Sequence, residues 1–290
     1  MPGNLFAATK AREVVGSSKI CEYPMVSIWN DYNLRCIILL AAISLLTGCF
    51  APTSQNIHLK YGNPSRAKDR LNNYLIERPE YVLSYNCSQR VANWASWQLD
   101  RSWLGEVDRS NSFRPDLDLP EGCYGALPND YRGSGYDRGH LVPSGDRTRR
   151  LADNRATFLM SNIIPQAPEN NREVWRELEE YSRYLAQRGN ILYIVAGGYG
   201  VEGKIAQQEI TIPEYNWKVL LVLEQSAENI ANDNAYTIAV WIPNNNSVVR
   251  TDWRDYIVSV DLVEKRTGYN FFNRIPSKLQ KQIESYIYTD

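Results

Sequence analysis

The sequence predicts an α+β fold, with a central, mostly antiparallel or mixed sheet flanked by helices. Three observations carry that expectation. Residues 191–195, 217–223 and 236–242 are apolar and rich in β-branched side chains, as buried strands are. One long helix is expected over 170–188, where Val174, Trp175, Leu178, Tyr181 and Leu185 recur at three-to-four spacing and Gly189 stops the pattern. Strands and helices do not alternate regularly, which argues against a doubly wound sheet. With 43% hydrophobic and 22% charged residues, the 290-residue chain has the composition of a globular protein, which excludes a disordered or fibrous class. No internal repeat and no linker follow residue 70, so one folded domain over 71–290 is the simplest account.

The segments preceding that domain read differently. Arg35 introduces an apolar run over 36–46, about half the roughly twenty residues that span a bilayer, which suits the core of a secretory signal. Residues 1–48 are therefore expected to be a signal peptide. Measured from Met25, the stretch before the apolar core has the usual length, so residues 1–24 are expected not to belong to the natural product. Leu46-Thr47-Gly48-Cys49 looks like a bacterial lipobox, with Cys49 the residue that would carry lipid; the alternative is an ordinary signal peptide cut nearby. The protein is thus expected to be exported, and to be periplasmic, membrane-anchored by lipid, or extracellular. Residues 49–70, with Pro52 and Pro64, read as a tether, and the fold is expected to begin near Asn72.

Within the domain, 81–85 and 94–99 read as a hairpin, 101–134 as a long irregular segment, 151–158 as helical, and 160–165 as a short apolar stretch ended by proline. A helix is expected over 253–265, stopped by Gly268, and a last one over 275–288. Cys87 and Cys123 are the cysteines after Cys49. Two thiols cannot make a four-cysteine zinc site, and in an exported protein the pair reads as a disulfide closing about 36 residues.

The candidate chemistry centres on 135–150 and His140. The chain has two histidines, and His58 falls in the expected tether, so imidazole chemistry falls on His140. Around it stand Arg138, Arg147, Arg149 and Arg150, guanidiniums suited to phosphate oxygens. Six arginines against three aspartates between Arg132 and Arg155 make a local footprint for a polyanion, though a charged surface loop would look the same. A base, a cation and phosphate binders are what phosphodiester hydrolysis requires. Without further histidines, zinc is disfavoured, and a hard cation held by oxygen is expected, Mg²⁺ before Mn²⁺ or Ca²⁺. Asn170, Asn171 and Glu179 are the natural suppliers, with Arg183 four residues beyond Glu179. Each also has an ordinary reading: a core histidine, a helix N-cap, a surface ion pair. Gly198 to Lys204 starts like a phosphate-binding loop, but Ile205 replaces the hydroxyl residue and strand follows where a helix should, so a nucleotide triphosphatase is rejected.

Tyr136-Asp137-Arg138-Gly139-His140-Leu141-Val142-Pro143, with the block from Thr157 to Gln166 and Asn170-Asn171 to Trp175, resembles the DRGH signature of the DNA/RNA non-specific endonucleases, the ββα-metal (His-Me finger) nucleases. The likeness covers about residues 70 to 275 and is closest to the cyanobacterial sugar-non-specific nucleases. It implies His140 as general base, Asn171 rather than Asn170 as direct magnesium ligand, Glu179 on the metal's water, and Arg138, Arg183 and Arg109 on the phosphate. Arg101 and Arg114 compete with Arg109 for that last place. Asn162 matches a family asparagine near the histidine. The resemblance further implies one-step hydrolysis of DNA and RNA, single- and double-stranded, to 5′-phosphate products, through contacts to phosphates that carry no sequence information. A monomer is expected, and a protein inhibitor is a candidate partner. A nucleic-acid-binding lipoprotein that does not cut, and a phosphodiesterase for small esters, are the alternatives.

Overall fold

A computed structural model describes residues 56–207, 209–224 and 234–289. The expected signal peptide, residues 1–24 within it, and Cys49 lie outside the described residues. In chain order the elements are β1 (Asp69–Arg70), β2 (Asn73–Glu77), β3 (Val82–Asn86), β4 (Val91–Leu99), β5 (Asp137–His140), α1 (Leu151–Ala156), β6 (Ile163–Gln166), α2 (Trp175–Gln187), β7 (Ile191–Tyr199), β8 (Gly203–Ile205), β9 (Ile210–Ile212), β10 (Tyr215–Leu223), β11 (Ala235–Pro243), β12 (Ile257–Val258), α3 (Val260–Thr267) and α4 (Ser277–Glu284). Eight strands form one sheet in the order β1-β2-β3-β4-β7-β10-β11-β12, antiparallel throughout. The expected α+β class is what forms, and β8 with β9 closes a hairpin where the phosphate-loop look-alike stood.

Alternation along the central strands builds two cores, one on each face of the sheet. On β10, Trp217, Val219, Leu221 and Leu223 pack with Val260 and Val263 of α3 and Leu279 and Ile283 of α4. Leu220 and Val222 point to the other face, with Trp97, Trp175 and Leu178. That second face carries α2 and the small β5–β6 hairpin, a ββα unit. The Cys87–Cys123 disulfide forms and ties the irregular segment to the end of β3.

Four expectations are corrected. The folded part already includes Ile57–Leu59, inside the stretch expected as a tether. Residues Ile57–Leu59 make a 3-10 turn with His58 buried, its Nδ1 accepting from the Gln98 N–H at 3.0 Å and its Nε2 donating to the Pro79 carbonyl at 2.9 Å. Second, β2 was not foreseen; its burial is confined to Ile76, too weak a pattern to stand out. Third, the helix over 253–265 starts late. Trp253–Tyr256 is a 3-10 turn, Ile257–Val258 pairs with β11, and Ser259 then caps α3 by accepting from the Leu262 N–H, before Gly268 ends it in the left-handed conformation. Fourth, the helix over 170–188 opens with a π-helical turn, Asn170–Val174, in which the Trp175 N–H bonds the Asn170 carbonyl five residues back, and only then continues as α2.

Candidate active site

Beta strand β5 ends at His140, and the hairpin to β6 passes Gly139 against the buried Gln166 side chain so closely that a Cβ would collide with it, so the position requires glycine. The imidazole is buried, edge-on to Phe158 at 4.8 Å between ring centres and 5.4 Å from Phe113. Its Nε2 has no hydrogen-bond partner among the described residues. Burial, then the charges of Arg109 and Arg138, push the imidazole down to about 3, so it is neutral at ordinary pH. The same aromatic pair supports the two arginines: Arg138 lies over the Phe113 ring at 4.3 Å and Arg109 over Phe158 at 5.0 Å. Arg109 also donates to Asn111 at 2.9 Å and Ser144 at 3.0 Å, and it lines the cleft where Arg101 and Arg114 do not.

Asn171 leaves the π-turn towards the cleft, and its Nδ2 donates to Asp137 at 2.9 Å. Asp137, the first residue of β5, also takes two hydrogen bonds from Arg172, at 2.8 and 2.6 Å. Burial pushes the Asp137 carboxyl up, but the bonds from Arg172 and Asn171 outweigh it and hold the group below its ordinary value. A carboxylate can only accept, so the Asn171 amide must turn its nitrogen to Asp137 and its Oδ1 away. Asn170 faces the other way, fully buried between Gln166 and the Pro243 carbonyl. On α2, Arg183 bonds Asp146 at 3.1 Å, and Asp146 in turn accepts from Trp97 at 2.9 Å. Gly145 lets that guanidinium lie against the loop, since a Cβ there would sit 2.9 Å from it. Burial pushes the Glu179 carboxyl up, while Lys218 and Arg183 pull it down.

Arg109, Arg138, His140, Asn171, Glu179 and Arg183 all line one open cleft of about 460 Å³. Asn162 does not. It is fully buried, accepts from the Val142 N–H at 3.0 Å and donates to the Val142 and Thr157 carbonyls at 2.9 Å each, so it fixes the strand end behind His140 and does not reach the cleft. The flanking arginines are also reassigned. Arg147 is buried over Trp103 and bonded to the carbonyls of Glu80, Asp146 and Gln98, while Arg149 and Arg150 pair with Asp153. Sequence reasoning missed Asp137, Phe113, Phe158 and Arg172. Asp137 stood inside the motif and was the one with a legible signal.

Two fixed cations on either side of a neutral imidazole, above an open groove that also presents an amide oxygen and a carboxylate, define a phosphodiester-cleaving hydrolase. The chain belongs to the DNA/RNA non-specific endonuclease family, whose model matches residues 56–278. It is 44% identical to a nuclease of Nostoc sp. over 85% of this chain and 96% of that protein, and 34% identical to nuclease C1 of Cunninghamella echinulata over 78% and 90%. Among solved structures it is similar to the crystal structure of the EndoG/EndoGI complex, with a TM-score of 0.63 and 26% identity over 77% of this chain and 92% of that one. The ββα-metal fold and the nuclease class are thereby shown.

Proposed function

We propose that this nuclease hydrolyses DNA and RNA in one step, with His140 as general base, Arg109, Arg138 and Arg183 bearing the phosphate charge, and a divalent cation held by Asn171 directly and by Glu179 through water. The observation that carries the reading is the shared cleft of the His140 imidazole, the Asn171 amide aimed by Asp137, and Glu179. The donors fit a cation of this kind: one amide oxygen and one carboxylate, without sulfur or a second imidazole, suit Mg²⁺ ahead of Mn²⁺ or Ca²⁺. When bound, such an ion supplies positive charge where the 3′ oxygen departs, leaving 5′-phosphate products. His140 must be neutral to accept a proton from water, and burial keeps it so. The arriving phosphate then offsets the charges of Arg109 and Arg138, so the imidazolium formed in the reaction is less disfavoured than in the free protein. Arg138 and Arg109 are held on aromatic faces, so they meet the phosphate already oriented.

Plasmid and RNA digestion with Mg²⁺, with and without EDTA, tests the reading. His140→Ala should lose on the order of 100- to 10,000-fold in rate while still binding nucleic acid. Undiminished cleavage by that variant, or by the wild type in EDTA, would defeat the mechanism. Turnover of a small diester with none on nucleic acid would favour the small-ester reading. We further propose export, supported by the Cys87–Cys123 disulfide, since such bonds persist in oxidising compartments, and lipid on Cys49, which rests on the Leu46-Thr47-Gly48-Cys49 sequence alone. Labelled palmitate incorporation that survives Cys49→Ala would refute the anchor. In the EndoG/EndoGI complex EndoG is inhibited, and a protein inhibitor for this cleft rests on that likeness alone.

A further inference from the structure

Behind the cleft lies a charge that the reaction as described does not use. Lys218 sits in the middle of β10, paired with Ala196 of β7 on one side and Val240 of β11 on the other. Its side chain is 1% exposed and projects from the face that also carries Leu220 and Val222, where a third aliphatic residue would be the ordinary choice. Instead an ammonium lies between two indoles, 4.0 Å from the centre of the Trp175 ring and 6.0 Å from that of Trp97. Its Nζ has no hydrogen-bond partner among the described residues, and the carboxylate facing it is Glu179, at 3.8 Å. Glu179 stands one helical turn after Trp175 on α2, so it lies between the buried lysine and the cleft it helps to line.

We infer that Lys218 is a positioning residue: its buried ammonium anchors the Glu179 carboxylate from behind and keeps it from turning to Arg183. The surrounding charges support the assignment. Asp146 is already committed to Arg183 and Trp97, so the cation that can hold Glu179 without taking an arginine from the phosphate is Lys218. Sheet strand, ammonium, carboxylate and cleft form one line, with the rigid central strand at its base. Without Lys218, the remaining cation within electrostatic reach on α2 is Arg183, and a Glu179–Arg183 pair would withdraw one group from the metal and the other from the phosphate. An ammonium with indole faces on its flanks and one carboxylate ahead has a single direction in which to act.

The inference rests on the proposed role of Glu179, and the test separates the two. Mg²⁺ affinity is measured by isothermal titration calorimetry, without nucleic acid, on wild type, Lys218→Met, Lys218→Gln, Glu179→Gln and the double variant Lys218→Met/Glu179→Gln, alongside the Mg²⁺ dependence of plasmid cleavage and the thermal midpoint. Lys218→Met, which fills the site with an apolar chain of similar length, should weaken Mg²⁺ binding and raise the half-saturating Mg²⁺ about 10- to 100-fold, the range for residues that orient a metal ligand, with a thermal midpoint lowered by the unpaired Glu179 carboxylate and recovered in the double variant. Lys218→Gln should weaken binding in the same way. In the Glu179→Gln background the Lys218→Met change should add nothing. If Glu179→Gln itself leaves Mg²⁺ binding unchanged, the assignment of Glu179 fails. If Glu179→Gln weakens binding but Lys218→Met does not, or if the lysine substitution has its full effect in the Glu179→Gln background, Lys218 has no such role. Failure of both lysine variants to fold would make it a structural charge only and overturn the inference.

Discussion

Replacing Asp137 by alanine tests how the Asn171 amide, the proposed metal ligand, is aimed. In the structure its carboxylate accepts from Asn171 Nδ2 at 2.9 Å and from Arg172 twice, at 2.8 and 2.6 Å. Hydrogen bonds to a charged group contribute about 1.5 to 3 kcal/mol each. Without Asp137, the Asn171 amide loses that much preference for presenting its oxygen, and Arg172 is left as an unpaired positive charge at the mouth of the cleft. Both effects oppose a cation. At about 1.4 kcal/mol per tenfold, the lost bond alone corresponds to roughly 10- to 150-fold, so Asp137→Ala should raise half-saturating Mg²⁺ by at least about tenfold. Asp137→Asn keeps an acceptor for Asn171 but not the charge, and should fall between the two. The assay is the initial rate of plasmid cleavage across Mg²⁺ concentrations. An unchanged Mg²⁺ requirement, with loss confined to the rate at saturating Mg²⁺, would refute the aiming role.

Other perturbations have equally definite outcomes. Asn162→Ala removes three buried hydrogen bonds and leaves the Val142 N–H unpaired, so urea denaturation should show a loss of about 3 kcal/mol or more; a loss under about 1 kcal/mol would show that the side chain is not the pin described. Glu284 is pushed up to about 8, by burial first and then by Glu264. Its native value lies above its unfolded one, so the stability it confers is complete below the unfolded carboxyl value and is lost as pH rises towards 8. Glu284→Gln should therefore match wild type near pH 4 and exceed it at pH 8 by at least about 1.4 kcal/mol, the equivalent of one unit; no difference at pH 8 would contradict this. Opening the Cys87–Cys123 bridge, by reduction or Cys87→Ser with Cys123→Ser, should lower stability by up to about 4 kcal/mol for a loop of 36 residues while cleavage below the melting transition persists. Loss of cleavage in a still-folded double variant would link the bridge to the cleft.

The parts of the site legible in the sequence were those with a fixed spacing. His140 stands in the motif on β5, and Asn171, Glu179 and Arg183 stand on one helical stretch at fixed spacing; that spacing alone favoured a helix cap and a surface pair, and the family resemblance assigned them to the site. Arg109 arrives from the irregular segment and was separable from Arg101 and Arg114 only by its place in the cleft, over Phe158 and against Ser144. Arg147 and Asn162 show the opposite limit. Both lie beside His140 in pattern or in the family comparison, yet each turns inward, because carbonyls of Glu80 and Gln98 for one and of Thr157 and Val142 for the other need donors. Lys218 could not be distinguished from a solvated lysine in an apolar run, since its partner Glu179 stands on a helix packed across the sheet face. Strands β7, β10 and β11 were visible from apolar runs alone, whereas His58 and the residues from Asn56 onward are held by backbone groups of Pro79 and Gln98.

The widened turn at Asn170–Val174 acts as a gear with one extra tooth. In regular α-helix the eight residues from Asn171 to Glu179 sweep about 800°, leaving the two side chains roughly 80° apart. A residue absorbed by the wide turn removes about 100° from that sweep, which brings the pair to within roughly 20° of alignment. Shortening this turn by one residue would preserve the alignment in ordinary helix, and lengthening it by one would swing the amide and the carboxylate apart.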